Sequence, residues 1–295
     1  MKPKIMFLCT GNVFRSLSAE RLLKKHLEDK DRAFSITSRG TNGREDRDVV
    51  PTVKNKLKTY GVDVEDHVSR KITKSEALDQ DLIISMSEDH KSFLNEDYGI
   101  RSPTFKEVIG EEGSILDWHE ALDVDSHTSE KGKEYLENTI EYIQKHIDDM
   151  YESLVFRFYK FTDLLSGDNN ENGAEFKILK ETDHSVAFLA IDRLEDTFQI
   201  LVIPKQKYKY LHSLPTQELH DLMDLVRDIG STLNDSFGGY NVWQNNGWTG
   251  DQRIFHVHFH MMPRNNTLER LTNGDWYRTS IEEYNSLYSD VSSLF

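Results

Sequence analysis

The stretch Lys4-Ile-Met-Phe-Leu-Cys9-Thr-Gly-Asn-Val-Phe-Arg15-Ser16 decides how the first half of this chain folds. Residues 4–8 form a short apolar run, the pattern of a strand buried inside a parallel sheet. The loop that follows carries Gly11 and Asn12, the two residue types that best tolerate left-handed backbone. From Ser16 onward Ala19, Leu22, Leu23 and Leu27 recur at helical spacing. Strand, tight loop and helix in that order gather the N–H groups of Thr10, Gly11, Asn12, Val13 and Phe14 at a helix N-terminus. There they form a nest for a tetrahedral dianion. The same field favours a thiolate at Cys9. Arg15 closes the ring with a fork of donors that matches two phosphoryl oxygens, and Ser16 is placed to hydrogen-bond the sulfur. The spacing C-x5-R-S thus reads as a nucleophile and a phosphate clamp.

Outward from this loop, residues 34–38 and 82–86 are further strand candidates. A helix around Val53, Leu57 and Tyr60 is closed by Gly61. A longer helix is predicted from Leu136, Ile140, Ile143, Ile147, Met150 and Leu154. Strands alternating with helices make this half an α/β unit with a parallel sheet. The polar breaker cluster at 166–173 predicts a loop, and the pattern then changes. Residues 186–191, 198–203, 240–244 and 255–261 read as strands, and one helix opens at Thr216 and carries Leu219 through Leu233. Strands clustered around few helices read as α+β. We therefore expect two domains, 1–155 and 156–295, a division that suits a length of 295 residues.

Composition narrows the function. A formal net charge of −15 repels nucleic-acid backbones and anionic lipid, which disfavours duplex nucleic acid as a partner. The only cysteine is Cys9, so an intramolecular disulfide or thiol relay is impossible. No apolar run approaches the ~18 residues of a membrane helix, and the apolar stretch at residues 5–9 is too short for a signal peptide. The expectation is a soluble, cytoplasmic protein that does not enter membranes.

The second chemical constellation is Phe255-His-Val-His-Phe-His260. On a strand, alternate residues share a face, so His256, His258 and His260 line one side and Val257, Phe259 and Met261 the other. Three imidazoles in a row are costly to bury without polar partners. A metal site and a nucleophilic histidine flanked by two orienting ones both fit this pattern.

Both halves resemble known families. Cys9, Gly11, Asn12, Arg15, Ser16 and Ala19-Glu20, with Ser38-Arg-Gly-Thr41, His67-Val-Ser-Arg70 and the apolar run at 81–86, resemble the low-molecular-weight protein tyrosine phosphatases. The resemblance implies that Cys9 is the nucleophile, Arg15 the clamp and residues 10–14 with Ser16 the phosphate cradle. It also implies an aspartate as general acid, and Asp117 falls at the right place, with Asp123 and Asp125 as fallbacks. The proline usual after that aspartate is Trp118 here, and Leu17 stands where the family has proline. Phe14 occupies the place of a second cysteine, which argues against the arsenate reductases of this fold. A phosphorylated protein or small phosphoester is the implied substrate.

The run His256-x-His258-x-His260, with Asn245-Asn-Gly247, Gly250-Asp-Gln252, Ala187-Phe188 and Leu201-Val-Ile-Pro-Lys205, resembles the histidine triad (HIT) superfamily. That likeness implies an α+β domain with an antiparallel sheet, a nucleotide or nucleotide conjugate as substrate, no metal and no cofactor. His258 would attack the α-phosphorus, His256 and His260 would orient it, Gln252 would lie near the leaving group, and Asn245 would contact phosphate or ribose. The family's pairing habit implies a homodimer through this domain. Three positions depart from the pattern: Lys207, Ala190 and Arg253. They leave room for a domain that binds nucleotide without turnover, and the first domain has as its own alternative a reader of phosphorylated ligands.

Overall fold

The computed structural model describes residues 2–123, 126–167, 177–194, 197–264 and 276–295. The chain divides into two compact units, Met1–Phe156 and Arg157–Phe295. In the first unit, β1 (Lys4–Cys9) lies between β2 (Ser35–Gly40) and β3 (Leu82–Ser85), both parallel to it. Its central place explains the unbroken apolar run. Met6 and Leu8 pack with Ile72, Ala77, Ile83 and Leu94, while Phe7 meets the Phe105 ring at 6.3 Å. Helix α1 (Arg15–His26) follows the loop and buries Ala19, Leu22 and Leu23. Helix α2 (Pro51–Thr59) begins on its proline, and Gly61 just beyond its end takes the left-handed φ of 73°.

Four short helices, α3 (Lys74–Leu78), α4 (Glu88–Phe93), α5 (Phe105–Val108) and α6 (Trp118–Ala121), follow in order. Capping boxes start α3, α5 and α6, from Thr73/Glu76, Thr104/Glu107 and Asp117/Glu120. The single long helix expected over 136–154 is two helices, α7 (Glu130–Lys145) and α8 (Ile147–Ser166). His146 interrupts them at φ −102° and ψ 16°. Its ring turns to the Asp149 carboxylate at 2.8 Å and packs 4.6 Å from Tyr142. The apolar spacing carries through the break, which is why the pattern concealed it.

In the second unit β4 (Ile178–Glu181), β5 (Ser185–Leu189), β7 (Ile200–Pro204), β9 (Phe259–Pro263) and β8 (Tyr240–Gln244) form an antiparallel sheet in that spatial order. Two short strands, β6 (Asp192–Leu194) and β10 (Trp276–Arg278), pair separately. On one side of the sheet, helix α9 (Thr216–Phe237) inserts Leu222, Leu225, Ile229 and Leu233 into a core with Val202, Val257, Phe259 and Met261. Tyr284 and Val291 of α10 (Ile281–Ser292) join the same core. A second cluster unites Phe161 with Val186, Phe188, Ala190, Leu201 and Ile203. The loop expected at 166–173 lies for the most part outside the described residues.

One expectation needs correcting here. The strand predicted over 255–261 begins only at Phe259, so His256 and His258 precede it and His260 alone is on it. The partner strand explains the late start, because β7 ends at Pro204, which has no N–H for a ladder bond. The backbone N–H groups upstream go elsewhere, Phe255 to Arg157 O at 2.6 Å and Val257 to Tyr208 O at 2.7 Å.

Candidate functional site

Cys9 ends β1, and the chain turns sharply before α1 begins at Arg15. Asn12 makes that turn in the left-handed region, φ 53°. Its side chain holds the conformation: Nδ2 donates to Ser16 Oγ (3.2 Å) and Ser38 Oγ (2.8 Å), and Oδ1 accepts from Arg70 N (3.1 Å). From outside the loop, Ser69 Oγ donates to Gly11 O at 2.8 Å and His67 Nε2 donates to Asn12 O at 2.6 Å. Burial lowers the His67 pKa against the pull of that carbonyl. Asn12 N–H points at the Cys9 sulfur, 3.3 Å away, and Ser16 Oγ lies 3.0 Å from it. One backbone N–H and one hydroxyl thus lie within hydrogen-bonding reach of the sulfur.

The Arg15 side chain is fully buried. Nη1 donates to Ile115 O (2.9 Å), and Nη2 donates to Asp117 Oδ2 (2.7 Å) and more weakly to Thr10 Oγ1 (3.4 Å). Asp117 is the N-cap of α6: Oδ1 accepts from Trp118 N at 2.8 Å, and Glu120 Oε2 accepts from Asp117 N at 2.6 Å. The N–H that proline would have removed is used to hold the carboxylate. Glu120 also stands 3.7 Å from Arg15 Nη1. Asp117 is thus brought to the loop across 102 positions of sequence. Asp123 is exposed, and Asp125 lies outside the described residues. Sequence reasoning passed over His90, which is buried and reaches Thr10 Oγ1 at 3.0 Å. The one signal for it was Ser87-x-x-His90 at capping spacing directly after a strand.

In the second unit the three histidines are neutral and individually oriented. His258 Nδ1 donates to His256 O at 2.7 Å, which leaves the lone pair on Nε2. His256 Nε2 donates to Pro204 O at 2.8 Å, and its Nδ1 is buried with no partner among the described residues. His260 Nδ1 donates to Gln199 Oε1 at 2.7 Å, and Gln199 Nε2 donates to Asp192 O at 2.6 Å. Burial pushes His256 down to about 4 and His260 to about 3, and lowers His258 as well. Phe161 of α8 lies edge-on to His256 and His258, at 5.8 and 5.3 Å. Sequence reasoning missed Gln199, whose only sign is a polar residue heading an apolar strand.

The remaining expected residues brace the neighbouring loop. Gln252 Oε1 accepts from Gly247 N (2.8 Å) and its Nε2 donates to Lys209 O (2.6 Å). Asn245 Nδ2 donates to Asp251 O at 3.2 Å. Neither makes a hydrogen bond to the histidines among the described residues. Of the three departures, Ala190 is buried with Phe161 and Phe188, and Lys207 Nζ donates to Phe158 O. Arg253 pairs with Asp251 at 3.2 Å on the surface.

The sequence pattern of the family described as "Low molecular weight phosphotyrosine protein phosphatase" matches residues 4–155, and that of the HIT domain matches 171–267. An adenosine 5'-monophosphoramidase of Schizosaccharomyces pombe is 37% identical over 117 residues, 39% of this chain and 85% of that protein. A low molecular weight protein-tyrosine-phosphatase of Staphylococcus haemolyticus is 33% identical over 116 residues, 39% of this chain and 80% of its own length. A protein-arginine-phosphatase of Bacillus subtilis is 28% identical over 146 residues, 48% of this chain and 97% of that protein. These matches support phosphoester hydrolysis as the chemistry of the chain. Among the described residues no helix is long and apolar enough to cross a membrane.

Proposed function

Since the chain belongs to the low molecular weight phosphotyrosine protein phosphatase family through residues 4–155 and to the HIT domain family through 171–267, we propose a bifunctional phosphoester enzyme of the cytoplasm. Residues 1–155 form a tyrosine-type phosphatase and residues 156–295 a nucleotide hydrolase or transferase. In the first site the Cys9 thiolate attacks phosphorus in line and the ester P–O bond breaks. Asp117 gives its proton to the leaving oxygen, and a phosphocysteine remains. Asp117 then takes a proton from water, which attacks the phosphocysteine, releases phosphate and restores the thiolate. Arg15 spans two equatorial oxygens throughout. The incoming phosphoryl group takes the Arg15 fork from Asp117 and frees that carboxyl for proton transfer.

The observation that carries this reading is the convergence of Cys9 and Arg15 on one loop with Asp117 at 2.7 Å from the guanidinium. The test is turnover of an aryl phosphate. The parent should be active, Cys9→Ser inactive and Asp117→Ala slowed by about tenfold or more. A parent that binds inorganic phosphate without turnover makes this unit a reader of phosphorylated ligands.

In the second site His258 Nε2 attacks the α-phosphorus of a nucleotide conjugate. The P–O or P–N bond to the leaving group breaks, and water hydrolyses the nucleotidyl-histidine. The fixed Nδ1–H bond of His258 to His256 O supports this role, because it leaves the attacking lone pair on Nε2. Adenosine phosphoramidate is the first substrate to try, and its nucleotide should be trapped on His258. Binding without trapping points to a nucleotide-binding module instead, a reading favoured by Lys207, whose ammonium is held by Phe158 O.

A further inference from the structure

His90 has two nitrogens, and only one of them is explained by local structure. It occupies the third position of α4, where Ser87 N–H donates to its Nδ1 at 3.1 Å. That is the task a glutamate performs in an ordinary capping box. A surface glutamate would serve the helix end equally well, yet His90 is 1% exposed. Its other nitrogen reaches across 80 positions of sequence to Thr10 Oγ1 at 3.0 Å.

Two groups of Ser87 meet Nδ1, the backbone N–H at 3.1 Å and Oγ at 2.7 Å, while the Asp89 carboxylate stands 3.5 Å from Nε2. A backbone N–H can only donate and a carboxylate only accept, which favours the tautomer with the lone pair on Nδ1 and the proton on Nε2. Thr10 Oγ1 therefore accepts from His90 Nε2–H and, at 3.4 Å, from Arg15 Nη2. With both lone pairs facing donors, the hydroxyl keeps its own proton for an acceptor. Because Oγ1 lies beside Nη2, a phosphoryl oxygen held by Arg15 comes within its reach.

We propose that His90 is a positioning residue of the phosphate cradle, which orients the Thr10 hydroxyl as a donor to the phosphoryl group bound by Arg15. This rests on the reading of the Cys9 loop as a phosphate site. A neutral imidazole is the right group for the task. A carboxylate in its place would compete with the anion for Arg15, and an ammonium would repel the guanidinium. Arg15, Asp89 and Asp117 are the charged groups that face it, and Asp89 Oδ2 stands 3.5 Å from Nε2. Burial, reinforced by Arg15, pushes the imidazole down to about 4, so the donor tautomer persists through the neutral range.

The experiment measures inorganic phosphate as a ligand by calorimetry and as a competitive inhibitor of aryl phosphate turnover. His90→Ala should weaken phosphate about tenfold and raise KM in parallel, with kcat changed far less. Thr10→Val should do the same, and the double variant should be no worse than Thr10→Val. His90→Gln, which keeps a donor near Nε2, should recover most of the affinity. The inference is overturned if His90→Ala binds phosphate within about twofold of the parent, if the losses multiply in the double variant, or if His90→Gln recovers nothing. A parent that binds phosphate without turnover removes the phosphatase reading but leaves this one standing. A parent that binds no phosphate removes both.

Discussion

Acid should unfold the second unit early, and the cause is its histidines. His256 and His260 are buried as neutral rings, at about 4 and about 3, whereas an unfolded imidazole titrates near 6.5. Between those values the unfolded chain binds more protons than the folded one, so stability falls as pH falls through 6.5. At pH 5 the unfolded state is favoured by a factor of about 30 per group, or about 2 kcal/mol each. That figure depends weakly on the folded value, since both rings remain neutral at pH 5 in the folded state. Together they remove about 4 kcal/mol between pH 7.5 and 5, and His258, lowered by the same burial, adds in the same direction. Against a typical domain stability of about 5–15 kcal/mol this is a large share. The assay is urea unfolding of the full chain carrying Trp118→Phe, whose remaining tryptophans, Trp243, Trp248 and Trp276, all belong to 157–295. His260→Gln should reduce proton uptake on unfolding by about one near pH 5. A stability that changes by less than about 1 kcal/mol between pH 7.5 and 5, or a variant that keeps the full slope, would refute the reasoning.

Three other substitutions test the packing of the two sites. Asn12→Ala replaces a residue type that tolerates φ 53° and breaks three hydrogen bonds, two of them buried. It should destabilise the first unit by about 3 kcal/mol and weaken phosphate binding, read by thermal melting and calorimetry. Gly43→Ala would drive a Cβ into Arg70 O, so the segment that supplies Arg70 N to Asn12 must move. We expect a loss of about 2–4 kcal/mol in denaturant unfolding. Gln199→Leu leaves His260 Nδ1–H and Asp192 O without partners; it should cost about 2 kcal/mol of stability and slow nucleotide trapping on His258 about tenfold.

What was legible in the sequence was whatever depends on neighbours along the chain. The residues from Lys4 to Ser16 specify strand, turn and helix because burial on both faces, left-handed tolerance at Asn12 and helical spacing are all local properties. The alternation of histidines with Val257, Phe259 and Met261 survives in the packing of those three apolar residues into one core with α9, even though the strand itself starts late. Its start was decided by Pro204 on a neighbouring strand, which no window around the histidines contains. The break at His146 was equally invisible, because the apolar stripe continues in phase on either side of it.

Only the tertiary structure decided which polar groups meet. Arg15 and Asp117 are 102 positions apart, Thr10 and His90 80, and Gln199 and His260 61. Such pairs leave no periodic trace, since their proximity follows from how strands and helices pack and close the intervening loops. The residue types that bear the chemistry are therefore set by the chain's local pattern. The orientation of each histidine, the partners of Arg15 and the groups that face the Thr10 hydroxyl are set by contacts that exist only once the core has formed.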